Sequence, residues 1–147
     1  MTDQPTLPDA DRHPAPDEPI GYLLYRSVAR PGLDQDDLDR ILERSRRWNR
    51  SVGLTGCLHH EDGMFFQWIE GPRPRLFQLL EWLRDDDRHV NVTVLDQGQL
   101  SKRLFDDWEM RFSDRQVASL LDWLAARRDR PDTGDAQGVA DFMRTLR

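Results

Sequence analysis

Short runs rich in aliphatic, β-branched and aromatic residues predict five strands in this chain. The third run, MFFQWIE, places Phe65, Gln67 and Ile69 on one face of its strand. Phe66 and Trp68 fall on the opposite face, so Gln67 is an amide with large apolar neighbours on both sides. The predicted strands are Ile20–Arg26, Leu54–His60, Met64–Glu70, a strand through Val90, Val92 and Val94 that closes at Gln97-Gly98, and Trp108–Phe112.

Apolar residues at helical spacing predict helices between and after these strands. The first runs from Gln35 to Asn49 with Asp34 as its N-cap, and its apolar stripe continues into Ser45 and Asn49. Two uncharged hydrogen-bonding residues therefore face the predicted core. The other stripes are Leu76, Leu80 and Leu83; Val117, Leu120, Leu121 and Leu124 after a Ser113 N-cap; and Val139, Phe142, Met143 and Leu146.

The order of the predicted elements indicates an α+β fold. Asp62-Gly63 predicts a tight hairpin, and the sequence βαββαββ predicts a ferredoxin-like sheet with two helices on one face, plus C-terminal helices. We expect a disordered tail over 1–18, one compact domain over 19–112 and a helical extension over 113–147. The apolar stripe of the extension is expected to pack on the open face of the sheet. Such a fold serves many functions, so the functional assignment depends on the site.

Composition narrows the functional classes. The 147 residues carry a net charge of −6, which argues against a nucleic-acid binder because phosphate recognition needs a clustered basic surface. No apolar run is long enough to span a bilayer, and the N-terminal residues lack the apolar segment of a secretory signal. The single cysteine, Cys57, cannot form an internal disulfide, and its apolar neighbours predict a thiol buried in a strand. We therefore expect a cytoplasmic protein that binds neither membrane nor nucleic acid.

Common catalytic motifs are absent from the sequence. It contains no GxGxxG, GxxxxGK[ST], CxxC or HExxH. His59 and His60 are adjacent in a predicted strand and point to opposite faces, which favours a solvated pair over a metal site. His89, at a helix-to-strand junction, is open to two interpretations, a surface histidine or a ligand-binding one.

Three polar residues of the predicted core can be considered together. Taken singly, Tyr25 is interpreted as an ordinary strand tyrosine and Asn49 as a residue at a helix end. Gln67 needs more explanation, because a buried amide requires partners for both its NH2 group and its carbonyl. A cluster that both donates and accepts in a dry core could hold a flat heterocycle by its polar edge.

Five motifs containing these residues resemble the BLUF family of blue-light sensors. They follow in the family's order across roughly Gly21 to Phe112, and their combination is more specific than any one of them. The motifs are LLYRS (Leu23–Ser27), WNRSVGLTGCL (Trp48–Leu58), FFQWIEGP (Phe65–Pro72), DDDRHVNV (Asp85–Val92) and FDDWEMRF (Phe105–Phe112).

The resemblance implies that 19–112 is a flavin-binding domain that holds FAD noncovalently between the two helices. Tyr25 matches the photoactive tyrosine, and Gln67 matches the glutamine that hydrogen-bonds both tyrosine and flavin. Asn49 matches the asparagine that binds the polar edge of the ring. Since the ring contacts would be shared, they do not discriminate FAD from FMN.

Further site residues follow from the same resemblance. Ser45, Trp108 and Met110 match positions close to the cluster, and Trp108 and Met110 belong to its photoactive part. Ile41, Leu54 and Phe65 would form the apolar walls of the flavin site. Asp86, Arg88 and His89 match the end of the second helix, near the ribityl and phosphate portion. No metal is implied. In one departure, Trp48-Asn49 stands where the family often has two consecutive asparagines.

The implied function is a photocycle without substrate turnover, so we do not expect an enzyme. Light-driven transfer of an electron and a proton from Tyr25 would rearrange the hydrogen bonds of Gln67 and give a red-shifted signalling state. The signal would pass through the fifth strand and the C-terminal helices to a downstream signalling protein, or through a homo-oligomer. Nothing in the sequence resembles a cyclase or phosphodiesterase domain.

Two other functional classes remain open at this point. One is a small-molecule enzyme on the same fold, which would need a nucleophile, an acid or an anion-binding arginine in a recognisable constellation. The other is an interaction module that has lost its flavin. A yellow purified protein would indicate a flavoprotein, whereas either alternative should be colourless.

Overall fold

The computed structural model describes residues 20–85, 89–106, 109–128 and 131–147. Within these residues the chain forms five strands and four helices. The strands are β1 (Ile20–Ala29), β2 (Thr55–Glu61), β3 (Met64–Gly71), β4 (His89–Leu100) and β5 (Arg111–Asp114). The helices are α1 (Gln35–Val52), α2 (Arg73–Asp85), α3 (Leu120–Arg128) and α4 (Ala136–Arg144). The tail predicted over 1–18 lies outside the described residues.

Local sequence sets both ends of α1. The Asp34 carboxylate accepts from the backbone N–H of Asp37 at 2.8 Å, and the Asp37 carboxylate accepts from the backbone N–H of Asp34 at 3.2 Å. This capping box confirms the predicted start. Gly53 adopts a φ of 77°, which allows its N–H and that of Leu54 to reach the Asn49 carbonyl. The helix extends to Val52, past the predicted end at Asn49.

The predicted ferredoxin-like sheet is confirmed. Its strand order is β4-β1-β3-β2-β5, with β1 antiparallel to both neighbours and β5 parallel to β2. Asp62 and Gly63 join β2 to β3 with φ angles of 53° and 75°, the positive values that a two-residue hairpin of this kind requires. β1 and β3 are thus buried at the centre of the sheet.

A hydrophobic cluster covers each face of the sheet. On the first face, α1 and α2 pack with Leu23, Tyr25, Phe65 and Ile69. On the second face, α3 and α4 cover Leu24, Cys57, Phe66 and Trp68. Leu120 and Leu124 of the C-terminal stripe are 0% and 1% exposed, which confirms that these two residues pack on the chain's own sheet.

The last two strands differ from their predicted bounds. β4 continues past Gln97-Gly98 because it pairs with β1 as far as the Ile20–Leu100 pair. β5 begins at Arg111, where pairing with β2 starts, so Glu109, which the prediction placed in this strand, precedes it. Met110 therefore precedes the strand. An alternating pattern marks apolar positions, but pairing with β2 decides which of them become strand.

The third helix also begins later than predicted. Ser113 lies in β5, where it pairs with His59 of β2. The cap is Ser119, whose hydroxyl accepts from the backbone N–H of Asp122 at 3.1 Å. Val117 precedes the helix and is 58% exposed. Either serine could cap a helix, and strand pairing excludes the first.

No helix within the described ranges combines the length and the apolar character needed to cross a membrane.

Candidate functional site

Tyr25 and Gln67 are paired across β1 and β3 and share the first face of the sheet. Tyr25 is 0% exposed and Gln67 is 4% exposed. The Tyr25 hydroxyl donates a hydrogen bond to the Gln67 side-chain carbonyl oxygen. The structure therefore brings two of the predicted residues into direct contact, in a position shielded from water.

Asn49 reaches the same region from the last turn of α1. Its backbone carbonyl accepts the two hydrogen bonds that end the helix. Its side chain is 1% exposed, and the amide nitrogen donates to the backbone carbonyl of Glu109. The hydrogen bonds that end the helix use the backbone carbonyl of Asn49, so the side-chain amide is available for other partners.

The segment Glu109–Met110 connects Asn49 to the Tyr25–Gln67 pair. The Gln67 amide nitrogen donates to the sulfur of Met110 at 3.4 Å, and Met110 is 2% exposed. Arg46 donates to the Met110 carbonyl at 2.9 Å, and Arg50 binds the Glu109 carboxylate at 3.0 Å. Hydrogen bonds from α1 thus hold this segment against Gln67.

Apolar side chains surround the polar cluster formed by Tyr25, Asn49 and Gln67. Ile41, Leu54 and Phe65, the residues predicted as walls, are all at most 5% exposed. They share one hydrophobic cluster with Tyr25 and Met110. Ser45, one turn before Asn49 on α1, is partly buried. The arrangement is a dry environment with donors and acceptors at one place.

Two tryptophans lie between α1 and α2. The rings of Trp48 and Trp82 have centroids 4.6 Å apart and planes inclined by 58°. The Trp48 indole nitrogen is buried and has no hydrogen-bond partner within the described part of the chain. A buried donor of this kind calls for an acceptor from elsewhere. The residues present therefore fit a flat heterocycle that has carbonyl groups along one edge.

The remaining predicted site residues are not placed by the structure. Asp86, Arg88 and Trp108 lie outside the described residues. His89 is the first residue of β4, and the structure describes its backbone only. The assignment of these four residues stays a prediction.

Sequence reasoning missed a buried polar network on the second face of the sheet. His59, predicted to be solvated, is 0% exposed. Its Nδ1 lies 2.9 Å from the Ser113 hydroxyl and its Nε2 lies 2.8 Å from the Glu61 carboxylate. The alternation of β2 does place His59 and Glu61 on one face, but only the position of the C-terminal helices shows that this face is covered.

Glu61 links this network to α3. Its carboxylate accepts from the Ser119 hydroxyl at 2.8 Å and from the backbone N–H groups of Leu120 and Leu121 at 2.7 and 3.2 Å. A carboxylate at this position satisfies the free N–H groups of the first helical turn and complements the helix dipole. Burial opposes ionisation of Glu61, but the hydrogen bonds from His59 and from the start of α3 outweigh it and hold the pKa below its usual value.

The proton positions in the network follow from its partners. An ionised Glu61 can only accept, so Nε2 of His59 carries the proton and Nδ1 accepts from the Ser113 hydroxyl. Burial lowers the pKa of His59, although Glu61 acts in the opposite direction. The network thus joins β2, β5 and α3 through a neutral imidazole.

Cys57 is buried as predicted. Burial raises the pKa of its thiol to about 12, despite the opposing charge of Arg111. The thiol stays protonated at neutral pH and is a poor nucleophile.

Comparison with known proteins relates this chain to a family. The family model described as sensors of blue-light using FAD, BLUF, matches residues 20–111. Photoactivated adenylate cyclase subunit beta of Euglena gracilis is 32% identical over 102 residues, which is 69% of this chain and 12% of that protein. The chain therefore spans a small part of this curated relative.

Solved structures give the same relationship. The dark-state structure of BlrB, a BLUF protein, superposes with a TM-score of 0.75 at 32% identity and covers 88% of this chain and 96% of that chain. A bacterial light-regulated adenylyl cyclase has a TM-score of 0.66 at 26% identity and covers 86% of this chain and 36% of that chain. With a matching family model over more than half of its length and a shared fold, this chain belongs to the BLUF family of blue-light sensors.

Proposed function

We propose that this chain is a blue-light photoreceptor that binds FAD noncovalently between α1 and α2 and uses Tyr25 and Gln67 for its photochemistry. The observation that carries the proposal is the buried hydrogen bond from the Tyr25 hydroxyl to the Gln67 amide oxygen. A phenol that can lose an electron and a proton lies against an amide that both donates and accepts. Within a dry core, this pair can change its hydrogen bonding without competition from water.

The chain offers distinct groups for each part of the cofactor. Asn49 can donate to and accept from the polar edge of the ring, and Ser45 adds a hydroxyl beside it. Ile41, Leu54 and Phe65 supply the apolar walls. Asp86, Arg88 and His89 are proposed for the ribityl and phosphate portion. FAD is the flavin named in the description of the matching family.

Tyr25 is proposed as the electron and proton donor. Bound flavin excited by blue light supplies an electron acceptor in the site. The Tyr25 ring would give up an electron to the excited flavin, and its hydroxyl proton would follow to the flavin through the hydrogen bond to Gln67. Return of the electron and the proton to Tyr25 would restore the phenol. The Gln67 amide would remain in a rotated or tautomerised form. A changed hydrogen bond from Gln67 to a ring carbonyl accounts for the expected red shift.

Met110 is proposed to report the rearrangement of Gln67. In the structure the Gln67 NH2 group donates to the Met110 sulfur. A thioether is a weak acceptor and cannot donate, so an amide that turned its oxygen toward Met110 would lose this contact. Met110 would then move, and with it the segment that Arg46 and Asn49 hold. Trp108, the alternative output residue, lies outside the described residues.

The signal is proposed to continue from β5 to α3. Three residues after Met110, Ser113 contacts His59, and His59 contacts Glu61, which binds the start of α3. A shift of β5 would change this network and therefore the docking of α3. Amide hydrogen exchange over β5 and α3, compared in darkness and under blue light, tests this route.

The output is proposed to reach a separate downstream signalling protein, and the chain is proposed to act in the cytoplasm as a homo-oligomer. The two cyclases it resembles are much longer, and the chain matches 12% of one and 36% of the other. We propose that the present chain senses light without turning over a substrate. Residues 19–112 would form the flavin-binding domain, and 113–147 its helical extension.

The visible absorption spectrum tests the proposal. The purified protein, reconstituted with FAD, is measured before and after blue illumination. We expect a flavin spectrum that shifts about 10 nm to the red and recovers in darkness, because a change in one hydrogen bond is worth about 1 kcal/mol. Bleaching would indicate photoreduction by another route. Failure to bind flavin would favour an interaction module on the same fold.

A further inference from the structure

Trp48 carries a buried hydrogen-bond donor without an acceptor. Its indole Nε1 is inaccessible to water and has no partner among the described residues. An indole N–H can only donate, so it cannot be satisfied by rearranging neighbouring donors. Phenylalanine would supply comparable packing without this unsatisfied group. The indole nitrogen therefore requires a functional explanation or an acceptor that comes from a ligand.

The position of Trp48 identifies where that acceptor must lie. The residue precedes Asn49 on α1, one turn after Ser45. Its ring packs against the cluster on the first face of the sheet and contacts Trp82 of α2. The indole nitrogen is thus buried at the junction of α1 and α2, on the residue that precedes in sequence the asparagine assigned to the polar edge of the flavin ring.

The chemistry of that edge matches the unsatisfied donor. The pyrimidine part of a flavin has two carbonyl acceptors on either side of one N–H. The Asn49 amide can accept from the N–H and donate to one carbonyl, and the second carbonyl then needs a separate donor. Trp48 is adjacent and offers a single N–H. The Tyr25 hydroxyl and the Gln67 NH2 group bind within the chain in this structure, and the Ser45 hydroxyl is the other donor proposed for this edge.

We propose that the indole N–H of Trp48 donates a hydrogen bond to a pyrimidine carbonyl of the bound flavin, in place of the first of the two asparagines that the family often carries. The assignment rests on the proposed flavin-binding function. It makes Trp48 a ligand-binding residue in addition to a packing residue. It also gives α1 two consecutive residues that bind the same edge of the ring.

The test compares Trp48→Phe with Trp48→Asn. The phenylalanine variant keeps an aromatic ring and removes the N–H, whereas the asparagine variant keeps a donor and removes the ring. Apoprotein is titrated with FAD and, separately, with riboflavin, which shares the ring and lacks the phosphates. Infrared spectra of flavin isotopically labelled at its pyrimidine carbonyls report the hydrogen bonding of each carbonyl. Trp82→Phe is the matched control for a change in the neighbouring aromatic residue.

We expect Trp48→Phe to weaken binding of both flavins by about three- to tenfold, the effect of one hydrogen bond. One labelled carbonyl band should move to higher frequency in this variant, and the band should stay near its wild-type position in Trp48→Asn and Trp82→Phe. If Trp48→Phe does not fold, Trp48→Leu, which also removes the N–H without replacing it, is measured in its place, and the same band should move to higher frequency.

Two outcomes would overturn the role assigned to Trp48, and only the second would also exclude the proposed photoreceptor function. If the wild-type protein binds flavin and Trp48→Phe leaves both carbonyl bands and both affinities unchanged, Trp48 is a packing residue and the photoreceptor proposal stands. If the wild-type apoprotein binds neither FAD nor riboflavin, the proposed function fails together with the role of Trp48.

Discussion

Two tyrosines lie on β1 and face opposite sides of the sheet, because they are separated by an odd number of positions. Tyr22 is partly buried, donates to the Asp96 carboxylate at 2.9 Å and stacks on Trp68 with ring centroids 4.5 Å apart. Tyr25 is fully buried and donates to an amide. The chain thus contains one tyrosine at the candidate site and a second that serves as an internal control.

At the level of single residues, we expect Tyr25→Phe and Gln67→Leu to abolish the light-induced red shift while flavin stays bound. The first variant removes the donated proton, and the second removes the amide whose hydrogen bonds rearrange. Difference absorption spectra in darkness and under blue light measure the effect.

Tyr22→Phe is the matched control, because it removes a hydroxyl from the same strand on the other face. It should retain the full red shift. A normal photocycle in Tyr25→Phe or Gln67→Leu would contradict the assigned mechanism. Loss of the shift in Tyr22→Phe as well would indicate a general effect on β1.

At the scale of elements, the central feature is how α1 holds the segment before β5. Arg46 and Asn49 bind backbone carbonyls of Glu109 and Met110, and Arg50 binds the Glu109 side chain. The Arg50 hydrogen bond lowers the pKa of the Glu109 carboxyl, so the pair stays ionised well below neutral pH. These contacts from α1 hold Met110 next to Gln67, and none of them involves Gln67 itself.

Met110→Leu is expected to separate photochemistry from output. Leucine has a similar volume, so the stability cost should be below about 1.5 kcal/mol, but it offers no sulfur to accept from Gln67. We expect the red shift to form as in the wild type. The light-induced change in amide hydrogen exchange over β5 and α3 should be reduced or lost. An unchanged light-induced exchange pattern in this variant would exclude Met110 from the route.

For the whole molecule, the buried network of His59, Glu61 and Ser113 ties the second face of the sheet to the start of α3. Because this network binds the start of α3, its protonation state affects how the second face of the sheet is covered. The pKa of His59 is lowered by burial, and the pKa of Glu61 is lowered by its hydrogen bonds against the effect of burial. Both groups therefore bind protons less readily in the folded protein than in the unfolded chain.

The free energy of unfolding is expected to fall as the pH drops below about 6.5, the ordinary pKa of histidine. Below that pH the unfolded chain takes up a proton that buried His59 does not, so acid favours unfolding. The slope for one such histidine is at most about 1.4 kcal/mol per pH unit. Glu61 adds to the loss at lower pH, as it is protonated. Urea unfolding between pH 8 and pH 5 measures the dependence.

His59→Gln should flatten this dependence, since glutamine can hydrogen-bond but does not titrate. His60→Gln is the comparison, because burial also lowers the pKa of His60 but its side chain is less buried. We expect the smaller change in slope from His60→Gln. An identical slope in the wild type and in His59→Gln would exclude His59 as a source of acid sensitivity.

Features that depend on local periodicity and local hydrogen bonding could be predicted from the sequence. The alternation in β3 placed Gln67 between apolar neighbours, the capping pattern at Asp34 placed the start of α1, and Asp62-Gly63 placed the hairpin. These features depend on residues close in sequence, so a short window contains all the information. The motifs around Tyr25 and Asn49 indicated the family for the same reason.

The covered faces of the sheet and the contacts between distant residues became visible in the three-dimensional structure alone. His59 was predicted to be solvated because nothing near it in sequence shows that α3 and α4 cover its face. The start of β5 depended on pairing with β2, and the contact between Gln67 and Met110 depended on hydrogen bonds from α1. Burial and strand pairing arise between segments that are far apart along the chain, so no local pattern determines them.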